Sequence, residues 1–167
     1  MANRLESVIR HLKRQLARAV RRADGVPSAF PVAKPADIRA AEAKLGVEIP
    51  PLLRRIYLEI GNGGCHLGPG FGILGLPGGY DNDGGWDIVK SSLEMAADLA
   101  WWDRSIVICD WGCSMLSCID CSDNNFTVFR WDGNQFDAAT DKDEPSDELW
   151  SVEADTFEEW LMTPNCS

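Results

Sequence analysis

The sequence predicts a single α+β domain with an antiparallel-dominated sheet and helices packed against it. Apolar residues recur at helical intervals up to about residue 60, and short apolar runs broken by glycine and asparagine turns follow residue 104. The length of 167 residues suits one core, because a domain of this size buries roughly 70% of its unfolded surface. Usage is ordinary for a globular chain, at 45% hydrophobic and 25% charged, and seven tryptophans argue against disorder.

Leu5, Val8, Ile9, Leu12, Leu16, Ala19 and Val20 fall three or four residues apart while basic residues take the other faces, so residues 3–22 read as an amphipathic helix. Gly25 and Pro27 end it. It either packs on the domain or docks on a partner, another copy or an anionic surface. Residues 1–26 are therefore set apart from a domain over 27–167. Pro35 opens a second helix with Ile38, Ala41 and Leu45 facing inward, and Gly46 stops it. After an extended link, Pro51 starts a third, carrying Leu52, Leu53, Ile56, Tyr57 and Ile60 up to Gly61. Turns at 61–64 and 77–79 flank a short apolar run from Phe71 to Leu76. Residues 88–102 read as a helix. Residues 105–110, 115–121 and 126–131 read as strands joined by turns at Trp111-Gly112 and 123–125. An acidic loop over 140–148 and a short helix over 156–161, capped by Thr156 or Asp155, complete the pattern.

Charge is unevenly spread: residues 1–22 carry +6, residues 23–80 are neutral, and residues 81–167 carry −16. Phosphate backbones are recognised by lysine and arginine, so nucleic-acid binding by the acidic half is disfavoured and a basic protein partner is the complement. Arg4, Glu6, Arg10, Lys13 and Arg14 interrupt any apolar leader, Glu6 and scarce serine argue against a transit peptide, and no run is long enough to span a membrane. A cytoplasmic location is the expectation, and the six cysteines are then reduced thiols rather than a disulfide framework.

Several motifs fail on context. Gly70-Phe-Gly72-Ile-Leu-Gly75 matches the dinucleotide fingerprint in letters, but Leu-Pro-Gly-Gly follows where a helix should begin. Cys118 and Cys121, three apart on a strand, point to opposite faces, so with Cys109 and Cys113 they read as free thiols rather than a zinc set. The run from Asp81 to Asp87 departs from a calcium loop, with Trp86 where glycine belongs and Ser92 where glutamate belongs. His11 and His66 belong to no recognisable triad, and no cofactor or catalytic residue is called for.

Taken in order, the segments resemble one family. Leu45-Gly-Val-Glu-Ile-Pro50, leading into a helix that ends Tyr57-Leu-Glu-Ile-Gly-Asn62-Gly-Gly64, is similar to the opening of the SUKH superfamily. Ile106-Val-Ile-Cys-Asp110-Trp-Gly112 with Leu116-Ser-Cys-Ile-Asp120 resembles its paired strands. Phe126-Thr-Val-Phe129 and Phe157-Glu-Glu-Trp160-Leu161 resemble its next strand and closing helix. The likeness spans roughly residues 35–161. It implies a non-enzymatic binder, either an immunity protein that neutralises a toxin effector domain or an intracellular scaffold like the yeast cell-wall-assembly regulators. On charge and on Trp86 as an aromatic anchor, the expected partner contacts are Asp81, Asp83, Trp86, Asp87, Asp141, Asp143, Glu144, Asp147 and Glu148.

Overall fold

A computed structural model of the chain describes residues 2–20, 30–64, 67–69, 71–81, 85–99, 102, 104–137 and 149–163. The elements are α1 (Ala2–Val20), α2 (Pro35–Leu45), α3 (Pro51–Glu59), α4 (Ile88–Asp98), β1 (Ser105–Gly112), β2 (Met115–Asp120), β3 (Val128–Asp132), β4 (Trp150–Ala154) and α5 (Phe157–Met162). The strands form one antiparallel sheet in the order β1-β2-β3-β4. Helices pack against it, as the periodicities require.

The apolar stripe of α1 faces the domain: Val8, Ile9 and Leu12 are buried in the same core as α3 and α5. Ion pairs hold its flanks, Arg4 to Glu159 at 3.1 Å and Lys13 to Glu59 at 3.3 Å. Arg55 on α3 reaches Glu6 at 3.0 Å and Glu59 at 2.6 Å. The Arg55 hydrogen bonds hold the Glu59 carboxyl below its ordinary value. Such exposed pairs fix position more than they stabilise; burial of the three apolar side chains holds the helix down.

Pro35 and Pro51 each stand at a first helical position, where a missing N–H is harmless. Gly46, at φ 72°, closes α2 with its N–H on the Glu42 carbonyl. The Glu42 carboxylate then accepts from the Ile49 N–H at 2.9 Å and pairs with Arg54, which ties the extended link to both helices.

The Gly61-to-Tyr80 segment is fastened by Asn62, which is itself buried. Its Oδ1 accepts from the Leu76 N–H at 2.8 Å, its Nδ2 donates to the Leu76 carbonyl at 3.3 Å, and its carbonyl accepts from the Tyr80 N–H at 2.9 Å. A side chain at Gly79 would put a Cβ 2.4 Å from Asn62, so the close approach demands glycine. The Tyr57 hydroxyl donates to the Leu74 carbonyl at 2.7 Å. Leu74 and Gly75 lie in a loop, and the next helix begins only at Ile88. Among the described residues no helix terminus meets Gly72 or Gly75, so these two form no phosphate cradle; Gly70 lies outside the described residues.

The sheet differs from expectation in three places. The first hairpin turns at Cys113-Ser114, with φ of 50° and 60°, and Trp111 and Gly112 belong to β1. Two consecutive positive-φ residues give the turn sense that follows strand twist. The Asn134 Nδ2 donates to the Cys113 carbonyl at 2.6 Å and the Gly133 N–H to the Ser114 carbonyl at 2.8 Å. Phe126, at φ 54°, is turn rather than strand, so β3 starts at Val128. Finally, β4 was absent from the pattern read above. Short and half-exposed, with Ser151 and Val152 open to solvent, it is an edge strand without clean alternation. At the other edge, the Leu74 N–H donates to the Ile108 carbonyl and the Ser92 hydroxyl accepts from the Val107 N–H, which blunts β1.

Candidate functional site

The two faces of the sheet are dressed differently. Leu116, Trp131 and Trp150 pair across β2, β3 and β4 and so share one face. There Trp102, from the segment after α4, packs on Trp150 at 5.3 Å and on Trp131 at 6.1 Å, with Phe136 5.7 Å from Trp131. Tryptophans thus do on this face what a helix does elsewhere, and five of the seven sit in this layer or in the polar network opposite it.

Ser117 and Arg130 share the opposite face. Register shifts in β1 and β4 add Trp111 and Glu153 to it, since an extra residue re-aims a side chain. Trp111 Nε1 donates to Ser117 Oγ at 2.7 Å, Ser117 Oγ donates to Glu153 Oε2 at 2.5 Å, and Trp160 Nε1 donates to the same oxygen at 2.9 Å. Arg130 Nε donates to Glu153 Oε1 at 2.6 Å, and its guanidinium lies 4.3 Å from the Trp111 ring centroid. Both carboxylate oxygens are therefore satisfied, which a mostly buried charge requires. This network was not legible in the sequence, because strand alternation alone places neither Trp111 nor Glu153.

The thiols are dispersed. Cys109 and Cys118 are buried, Cys121 is half-buried and Cys113 is exposed at the hairpin tip. Burial pushes the Cys109 and Cys121 thiols up to about 12 and raises Cys118 well above its ordinary value, the reverse of what a nucleophile or metal ligand needs. Among the described residues no group of three His, Cys, Asp or Glu could hold a metal ion.

Of the expected contacts, Asp81, Trp86 and Asp87 are described and half-buried; Asp83, Asp141, Asp143, Glu144, Asp147 and Glu148 lie outside the described residues. Asp87 caps α4, its Oδ1 accepting from the Val89 and Lys90 N–H groups, each at 2.9 Å. Trp86 lies under Lys90, whose Nζ is 4.3 Å from the ring centroid. Asp87 and Lys90 line a shallow cleft of about 430 Å³ between the end of α2, Pro77 and the exposed side of α4, where Leu93 is open to solvent. One of these three residues thus has a structural task. The sequence signal for it, an aspartate just before the apolar run Ile88-Val89, was available.

The molecule is thus a meander sheet with helices packed against it, aromatic cover on one face and polar groups tied into a closed network on the other. Chemistry on such a frame would have to come from its surfaces. A family model for the SMI1 / KNR4 family (SUKH-1) matches residues 32–163, and the chain belongs to that family. The match begins after α1 and takes in every later element. No curated protein matches the chain. Family membership suggests a non-enzymatic binding protein of the immunity type.

Proposed function

We propose that the protein is an immunity protein, which neutralises the effector domain of a polymorphic toxin by covering its active site. Family membership carries this reading. The charge of −16 over residues 81–167 supports a basic partner, such as a nuclease whose own site is built to attract phosphate. Opposite fields speed association and orient the encounter, which suits an inhibitor that must reach its toxin before the toxin reaches its substrate. The proposed contacts are Asp81, Asp83, Trp86 and Asp87 with the acidic run from Asp141 to Glu148. No helix of the described residues is long and apolar enough to cross a membrane, and we place the protein in the cytoplasm, where such a toxin would arrive.

The alternative, an intracellular scaffold, would be favoured by α1 as a docking element. That support is weakened by Val8, Ile9 and Leu12, whose burial turns the apolar side of α1 into the domain's own core.

Co-expression with the product of the adjacent upstream gene in its own genome tests the reading, scored by growth rescue and by a salt-sensitive complex on purification. Rescue with binding supports immunity; neither effect removes it. The contact residues are tested in that complex by Asp81→Lys and Asp83→Lys, with Asp87→Asn keeping the helix cap. Unchanged association at low salt would show that the partner sits elsewhere.

A further inference from the structure

A second cleft lies on the side of the molecule where α1, the start of α3, the β2–β3 turn and the start of α5 converge. Its volume is about 230 Å³ and its walls are Leu5, Pro50, Leu52, Phe126 and Phe157. This is below the range of about 300–1,000 Å³ typical of small-molecule sites, and it has room for one large apolar side chain. We propose that this cleft is a socket for an apolar anchor residue of a cationic protein partner, and the proposal rests on the immunity reading above.

Three observations carry it. The first is charge. Asp123 precedes the lining residues Asn124 and Asn125, Asp155 precedes the lining Thr156, and Glu158 lines the cleft itself. None of the three has an ion-pair partner among the described residues, whereas Arg4, the one cation at the rim, is paired with Glu159 at 3.1 Å. The rim is thus negative around an apolar floor. That is the layout of an interface hot spot, with an apolar pocket at the centre and polar groups around it. It complements an aromatic or aliphatic residue flanked by lysine or arginine.

The second observation is that the walls are preformed. Asp123 Oδ1 accepts from the Asn125 and Phe126 N–H groups at 2.7 and 2.8 Å, and Thr127 Oγ1 donates to the Asp155 carbonyl at 3.3 Å. These bonds hold Phe126 at φ 54°, a conformation that a bulky residue rarely adopts. A ring fixed this way makes one wall of the cleft without ordering loss on binding. The third observation concerns the occupant. A second copy is a poor fit, because its cationic segment α1 keeps Val8, Ile9 and Leu12 in its own core. The partner is therefore a different, basic protein.

The test uses the full chain and the upstream gene product, with affinity and association rate measured for four proteins of equal melting temperature. Asn124→Trp, at an exposed turn position, roofs the cleft and is expected to weaken binding about 30-fold, mainly through faster dissociation. The pair Asp155→Lys and Glu158→Lys is expected to slow association about tenfold at low salt and to flatten its salt dependence. Asp98→Lys, a control at an exposed position of α4 that lines neither cleft, is expected to leave affinity within about threefold of wild type. If wild type binds and Asn124→Trp binds equally well, the socket is refuted while immunity stands. If only the α4 control loses binding, the partner lies on α4 and the socket is likewise refuted. If wild type forms no complex, both readings fall together.

Discussion

Replacing Glu153 by glutamine tests whether the network beneath Trp111 holds the sheet together. Glu153 accepts from Arg130 on one oxygen and from Ser117 and Trp160 on the other. Glutamine is the same size but has one acceptor oxygen, so in either orientation its NH₂ faces a donor: Arg130 on one side, or Trp160 on the other. Removing one member of a buried ion pair costs about 3–5 kcal/mol. Arg130 is 32% exposed against 13% for Glu153, so water recovers part of its solvation and the expected loss is about 2 kcal/mol. For a chain of this length that lowers the melting temperature by about 6 °C. Urea unfolding followed by tryptophan fluorescence should show the same loss as a lower midpoint at unchanged slope. Arg130→Met keeps an apolar stem over Trp111, and in the double variant with Glu153→Gln it should recover at least about 1 kcal/mol of the summed single losses. If Glu153→Gln shifts stability by less than about 0.5 kcal/mol, the network is decoration and the sheet is held by its aromatic face alone.

Three further outcomes follow from the packing. Leu12→Ala, at a fully buried position of α1, should destabilise the whole domain by about 2–4 kcal/mol in one cooperative transition; a separate early melt of the helix would contradict its place in the core. Gly79→Ala, with its Cβ 2.4 Å from Asn62, should cost at least about 1–3 kcal/mol through overpacking, read as a fall in the urea midpoint. Cys109 and Cys121 titrate near 12 in the folded chain and at about 8.5 when unfolded. Above pH 8.5 the unfolded state therefore releases protons that the folded state keeps, and stability is lost as pH rises from about 9 towards 12. A urea midpoint that stays level over that window would contradict it, and in the native state at pH 8 a thiol reagent should label Cys113 before either of them.

The helices were legible because their apolar residues repeat at the right interval and their ends carry proline or glycine. Pro35, Gly46 and Pro51 stand where the pattern put them. The meander was legible in outline, since Ile106-Val107-Ile108 and Leu116 to Ile119 are apolar runs between turns. Its details were not. Cys113-Ser114 is a poor match to the asparagine-glycine signature of its turn type, and its conformation is imposed from outside by Gly133 and Asn134. The strand β4 hid because an edge strand has one partner and little to bury, and the shift that turns Glu153 onto Arg130 depends on pairing across distant segments. Asp87, expected as a contact on charge, also caps α4. Composition cannot separate an acid that faces a partner from one that faces a helix terminus.

That difficulty has a physical origin. The residues that hold this frame, Asn62, Tyr57, Ser117 and Glu153, bond to backbone or to one another and leave few donors or acceptors for a ligand. The residues available to a partner, such as Asp155, Glu94 and Asp98, are exposed on turns and outer helix faces away from that frame. Substitutions at such exposed positions usually change stability by less than about 0.5 kcal/mol, while reversing their charge alters the field a partner meets. Recognition can therefore be rewritten on this scaffold without refolding it. The fold is read from the buried pattern, and the partner only from the surface, where a melting temperature held constant against a changed association rate separates the two.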